Sequence, residues 1–313
     1  MNSDNYTYYR SEPILCSDCP RNCGAIRGAE SGFGFCKSPA AIGIARAAPH
    51  FGEEPCISGT RGAGTVFFTG CNLRCVFCQN YEISRSTAGY KTVTIENLRS
   101  ILLSLRDEGV HNIDLVTPTH YTRQIAEALS GIDLGIPVVW NSSGYESVET
   151  LKMLDGLVQV YMPDYKYASS ALAKKYSAAE NYPEVAAEAL KEMFRQRGPY
   201  QLDKNGLLIS GLLIRHLILP GGGENTENSM DVIDFVADTF PPGSVLFSLM
   251  SQYTPMTACS AFPELTEYVS EETNDLLRHY LHTRHLEDGY WQETAAATKE
   301  MIPEFNGTGV RIS

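Results

Sequence analysis

Three cysteines, Cys71, Cys75 and Cys78, fall within eight residues in the stretch "TGCNLRCVFCQN" (69–80). Thiolates are soft ligands suited to zinc and iron. A structural zinc site closes with four Cys or His ligands, and none follows this loop before His111. Three thiolates on one loop suit instead three corners of a 4Fe–4S cluster, leaving one iron open to a ligand from outside the protein.

A second set, Cys16, Cys19, Cys23 and Cys36, has the spacing C-x2-C-x3-C-x12-C. Four thiolates between Gly-rich turns match a zinc site or a second iron–sulfur cluster. Zinc would make the segment a structural cap, and a cluster could relay electrons to the first. Cys56 and Cys259 read as buried small hydrophobes.

These residues need a scaffold. The chain has 313 residues, 43% of them hydrophobic, enough for a sizeable core. Its net charge of -12 repels polyanions, so no nucleic-acid partner is expected. The first residues carry no signal-like apolar run. No apolar segment approaches the roughly 18 to 20 residues of a membrane span. A soluble, cytoplasmic protein without a membrane partner is expected, and in a reducing compartment its nine cysteines are metal ligands or buried thiols rather than disulfides.

From Thr65 onward, apolar runs alternate with amphipathic ones, the pattern of a parallel sheet with crossover helices. Six strands are expected at 65–68, 112–116, 136–140, 156–161, 211–219 and 244–250. Between them, "TIENLRSILLSLRDEG" puts Ile95, Leu98, Ile101, Leu102 and Leu105 on one helical face, with Thr94 as N-cap. Six β-α units make an open doubly wound sheet or a barrel, complete or partial. In either, chemistry belongs where strands end. The expected organisation is a Cys-rich extension (1–60), an α/β core (61–290) and a C-terminal tail (291–313) packing on the core.

"CNLRCVFC" directly after a strand resembles the radical S-adenosylmethionine superfamily. The resemblance covers roughly residues 16–260. It implies a partial (β/α)6 TIM-type barrel, a 4Fe–4S cluster on Cys71, Cys75 and Cys78, and S-adenosylmethionine chelated through its amino and carboxylate groups to the open iron. An electron, from a donor such as flavodoxin or ferredoxin, would cleave it to methionine and a 5′-deoxyadenosyl radical. Within the superfamily, "GCNLRCVFCQN" is similar to the glycyl-radical-enzyme activases of the pyruvate formate-lyase activating type, and 53–84 resembles an uncharacterised branch of such proteins. The implied reaction is hydrogen abstraction from a glycine of a partner protein. The alternatives are radical modification of another peptide or small molecule, and a non-catalytic electron-transfer protein.

The strand ends supply candidate cofactor contacts. Phe77 takes, by resemblance, a place next to the adenine, against simple packing under the loop. Where most members carry a Gly-Gly-Glu-type turn for the cofactor's amino group, this chain has Thr117, Pro118, Thr119 and His120. Thr117 and Thr119 are candidates through hydroxyls or backbone carbonyls, and His120 also reads as a surface loop histidine. Asn141, with Ser142 and Ser143, ends the third strand and is a candidate for the ribose hydroxyls or the carboxylate. Asp164 and Lys166 are two apart, share a face of extended chain and could grip a zwitterion; the resemblance implies a cofactor contact for this Asp-x-Lys. Arg215 and His216 interrupt an apolar run, and alternation sends only one inward. Arg215 is the expected one, as an unscreened cation for the methionyl carboxylate. Gln252 and Tyr253 end the last strand near substrate.

Overall fold

The computed structural model describes residues 14–28, 34–85, 89–292 and 303–311. In chain order the elements are β1 (Ile14–Leu15), β2 (Ile26–Arg27), β3 (Ile42–His50), α1 (Pro55–Ser58), β4 (Ala63–Phe68), α2 (Tyr81–Arg85), β5 (Lys91–Val93), α3 (Ile95–Asp107) and β6 (Ile113–Val116). Then follow α4 (Thr122–Ser130), β7 (Val138–Ser142), α5 (Val148–Leu151), β8 (Val160–Pro163), α6 (Ser170–Ser177), α7 (Tyr182–Arg197), β9 (Gln201–Leu202), β10 (Leu208–Leu217), α8 (Glu224–Thr239), β11 (Leu246–Met250), α9 (Glu271–Thr283) and β12 (Gly289–Trp291).

The six expected strands are β4, β6, β7, β8, β10 and β11, each paired in parallel with the next. The sheet runs β12-β11-β10-β8-β7-β6-β4-β3-β5, and its two edges do not meet. It is an α/β partial barrel. Six strands were not expected: the β1–β2 hairpin, β9 antiparallel to β10, and three more in the main sheet. β3 and β5 lie antiparallel beyond β4, and β12 is parallel to β11. β3 reads "IGIARAAPH", too poor in bulky side chains and too irregular in alternation to announce itself, yet it is buried over most of its length. The sheet thus begins at Ile42, within the stretch read as the Cys-rich extension.

α3 shows why local sequence suffices for the outer layer. The Thr94 side chain accepts from the Asn97 amide and the Asn97 side chain accepts from the Thr94 amide, a capping box that contributes about 1 kcal/mol. Ile95, Leu98, Ile101, Leu102 and Leu105 are all buried, at roughly 1.5–3 kcal/mol each for a side chain withdrawn from water.

Strand alternation splits the side chains between two environments. Val66, Phe68, Leu115, Trp140, Tyr161, Ile214 and Phe247 face the helices in the main core. The lower interior of the barrel holds Ala63, Val139, Val160, Leu213 and Leu246, closed from beneath by Cys56 and Ile57 of α1. On the open flank, Phe305 of the C-terminal segment packs with Ala45, Phe67, Ile83 and Val116. That segment is tied to β3 by Ala47 N–H to Thr308 O (2.9 Å) and Gly307 N–H to Ala45 O (2.8 Å).

Candidate functional site

The loop after β4 lies across the ends of the strands. Its backbone hangs from the C-terminal end of α6, with Val76 N–H donating to Tyr176 O (2.9 Å). Each of its three sulfurs has a polar neighbour. The Leu73 amide donates to Cys71 Sγ (3.3 Å), the Ser177 hydroxyl to Cys75 Sγ (3.0 Å), and Ser84 Oγ lies 3.4 Å from Cys78 Sγ. Tyr167 bonds in turn to Ser177 (2.7 Å). Burial pushes the Cys71 and Cys78 thiols up, and the neighbouring thiols push them further. Ligating a metal would therefore release their protons, as thiolate ligation requires.

Lys166 is the nearby cation, within electrostatic reach of all three sulfurs. Burial opposes its charge, but Asp164 and Cys75 hold the ammonium above its ordinary range. Among the described residues no group of three or more His, Cys, Asp or Glu side chains is drawn in to clasp a single metal ion. The loop presents three thiols in company rather than a closed metal cage. Soft donors, hydrogen bonds to sulfur and an adjacent cation nonetheless fit an iron–sulfur cluster, whose thiolates are tuned by such neighbours.

Beneath the loop the barrel interior is polar. Arg215 donates to Asp164 (3.0 Å), Glu53 (2.9 Å) and Asn141 (2.7 Å), with Glu54 at 3.7 Å. Lys166 holds the other Asp164 oxygen at 2.5 Å. Burial works against ionising Asp164, but Lys166 and Arg215 bring its carboxyl below the usual range. Asp114 and Glu54 go the other way, pushed up by burial and by neighbouring carboxylates, against the pull of Arg215.

Asn141, Asp164, Lys166 and Arg215 are thus brought into one network, but Arg215 is not the unscreened cation foreseen. Three carboxylates surround it, and the cation nearer the sulfurs is Lys166. His216 points outward, between Tyr165 O (2.8 Å) and Ser229 Oγ (2.9 Å) of α8, and burial lowers it to about 4.

The Thr119 hydroxyl is engaged elsewhere. The chain turns outward after β6, and its hydroxyl donates to buried Glu146 (3.0 Å), which also accepts from the Trp140 indole (2.9 Å). Its side chain is therefore spent in the helix-facing layer. Thr117 sits at the turn itself with φ 58°, a strained conformation for a β-branched residue. His120 is no surface histidine. It is buried, bonds Thr69 O (2.7 Å), and is held neutral at about 3 by burial and by Arg27. The Phe77 ring is 6.5 Å from Tyr167 and 6.4 Å from Tyr253, so it packs under the loop. Tyr253 is occupied with Leu265 O (2.6 Å).

Glu53, Glu54, Asp114 and Ser177 were not anticipated. Asp114 carried the signal that singled out Arg215, a charge inside an apolar run. The glutamates carried none, because their position depends on α1 closing the barrel floor.

The N-terminal thiols lie beside the same loop. The Cys71 amide donates to Cys36 O (3.2 Å), and Arg21 donates from Nε to Asn72 O (2.7 Å). Cys19 lies in the charge field of Cys36, Cys16 and Cys23, and burial pushes it up to about 12.

Residues 65–213 match the profile of the Radical SAM superfamily. A curated relative, an uncharacterised protein of Methanocaldococcus jannaschii, is 29% identical over 270 residues, covering 82% of this chain and 71% of its own. SuiB of Streptococcus suis, solved with its precursor peptide SuiA, superposes with a TM-score of 0.51 at 15% identity over 71% of this chain. The chain spans 46% of SuiB. A spore photoproduct lyase variant gives a TM-score of 0.50 at 10% identity, covering 75% of this chain and 78% of that one. These two share the fold. Residues 65–213, just under half of the chain, thus carry the likeness to the Radical SAM superfamily, a domain that implies a 4Fe–4S cluster and S-adenosylmethionine.

Proposed function

We propose that this protein cleaves S-adenosylmethionine reductively and uses the resulting radical to take a hydrogen atom from a polypeptide glycine, in the manner of glycyl-radical-enzyme activases. The observation that carries the reading is the loop of Cys71, Cys75 and Cys78 at the strand ends, with a hydrogen-bonding group at each sulfur and Lys166 beside them. A 4Fe–4S cluster on these thiols, with one iron open, would supply the electron that breaks the cofactor's sulfonium bond, the electron itself coming from a reduced flavodoxin- or ferredoxin-type donor.

The protein's own residues bind and orient. Lys166 offers a cation for a carboxylate, and Asp164 an anion for an ammonium, from one rigid pair. Arg215 and Asn141 lock that pair from behind. Thr117, whose amide donates to Asn141 O (2.8 Å), and Phe77 are the further cofactor contacts in this reading. The apolar floor and the Phe305 flank exclude water from the reacting space. The activase-like loop sequence supports a glycine substrate over a small molecule. No described helix is long and apolar enough to cross a membrane, and a cytoplasmic site of action is part of the proposal. Cys16, Cys19, Cys23 and Cys36 are read as a second metal site, for zinc or a second iron–sulfur cluster.

The test is anaerobic incubation of the reduced, cluster-loaded protein with S-adenosylmethionine. 5′-Deoxyadenosine should form, and a glycyl-radical doublet should appear by electron paramagnetic resonance when the right partner is added. No 5′-deoxyadenosine would favour an electron carrier, and 5′-deoxyadenosine with radical transfer to a non-glycine substrate would favour another peptide or small molecule.

A further inference from the structure

The N-terminal segment has little core of its own. Its hairpin pairs only two residues per strand, Ile14 with Arg27 and Leu15 with Ile26. So few contacts do not offset the entropy of ordering it, and a metal would supply the missing stability. Cys19 lies within the charge field of Cys36, Cys16 and Cys23, although the four are not drawn in around a single ion, and tight turns set their backbone. Cys16 N–H bonds Ala25 O (2.8 Å) and Asn22 N–H bonds Cys19 O (3.2 Å). Gly34 backs onto Cys23, so closely that an added Cβ would stand 2.8 Å from its Sγ. The Arg27 guanidinium is 3.8 Å from Cys16 Sγ.

From this end, ties run to the loop of Cys71, Cys75 and Cys78. The Cys36 carbonyl accepts from the Cys71 amide (3.2 Å), and the Ser38 hydroxyl donates to Thr69 O (3.2 Å). Arg21, between Cys19 and Cys23, donates to Asn72 O (2.7 Å), to Ser177 O (3.1 Å) and to Ala178 O. Its guanidinium also stacks over Phe35, 3.8 Å from the ring centroid. Ser177 is the residue whose hydroxyl bonds Cys75 Sγ. One side chain thus joins the N-terminal turn, the loop backbone and the α6 end that supports a sulfur.

We infer that a soft metal centre held by Cys16, Cys19, Cys23 and Cys36 clamps the loop of Cys71, Cys75 and Cys78, with Arg21 as the positioning residue. The inference rests on reading those four thiols as a metal site, and the two can fail separately. A metal at the four thiols fixes the Cys19–Cys23 turn and aims Arg21. The Cys36 carbonyl, set by the same centre, holds the Cys71 amide. The loop is then ordered before its own cluster or cofactor arrives.

The experiment compares the holoprotein with Cys23→Ser and Arg21→Gln. Cys23 is exposed, so serine there removes a ligand without disturbing packing. Zinc and iron are counted per chain, also in a Cys71→Ala/Cys75→Ala/Cys78→Ala background, and hydrogen exchange is followed at residues 69–78. One zinc, or iron remaining in the triple variant and lost with Cys23→Ser, supports the site and identifies its metal. Exchange of the loop amides should quicken about tenfold or more in both single variants, the scale expected from losing a charge-assisted bond, while Arg21→Gln keeps its metal. Loop exchange unchanged in both, with metal retained in the unmodified protein, overturns the clamp but not the site. No metal in the triple variant overturns both.

Discussion

Arg215→Met is the most telling change to the barrel interior. Methionine keeps the length of the side chain and removes the charge. Asp164 retains Lys166, whereas Glu53 and Glu54 lose the cation they share. Removing one partner of a buried pair costs about 3–5 kcal/mol. The arginine is only 13% exposed, and proton uptake by the stranded carboxyls trims the penalty to about 3 kcal/mol at pH 8. Glu54 and Asp114, whose carboxyls burial already pushes up, would rise further. The folded state then binds more protons than the unfolded one above about pH 4, so stability falls as pH rises. The deficit should therefore be largest at pH 8 and shrink to less than about half that by pH 5. Thermal melting of the cluster-loaded variant should show a drop of roughly 4–5 °C at pH 8, with Glu53→Gln in the same chain recovering part of it. A drop below about 2 °C at pH 8, or one that grows toward acid, would refute the network as described.

Other outcomes follow from packing and burial. Gly70→Ala puts a Cβ 2.5 Å from Cys36 O at a φ of 84°, which should displace the N-terminal segment and cost about 2–4 kcal/mol in urea unfolding. Phe305→Ala removes an edge contact with Phe67 at 5.3 Å. It should cost about 1–3 kcal/mol, since the ring is only partly buried, and should speed exchange along β3. His120 and His216, held near 3 and 4, contribute stability that is full above pH 6.5 and lost as pH falls toward those values. Each should account for about 2 kcal/mol between pH 7 and pH 5; a urea midpoint at pH 5 insensitive to His216→Gln would show that the ring is not buried neutral.

The parts of the site that could be read from sequence were those carried by near neighbours. Cys71, Cys75 and Cys78 lie on one loop, so spacing alone picks out the candidate ligand set. Arg215 inside an apolar run announces a buried partner, and alternation correctly sends His216 outward. What could not be read depends on chain segments meeting from afar. Glu53 lies 162 residues from Arg215. The Cys36 carbonyl reaches Cys71 only because β3 lies beside β4, and β3 has no bulky alternation to mark it. The partner of the Thr119 hydroxyl could not be read either, since the short helical turn at Thr119–Tyr121 carries it to Glu146.

The central claim is that Cys71, Cys75 and Cys78 hold a cluster that cleaves S-adenosylmethionine. The most direct measurement is 5′-deoxyadenosine formed per chain by the reduced, iron–sulfur-reconstituted protein beside its Cys75→Ala variant. The account predicts product from the first and none from the second. Equal product from both, or none from either at full iron loading, would contradict it.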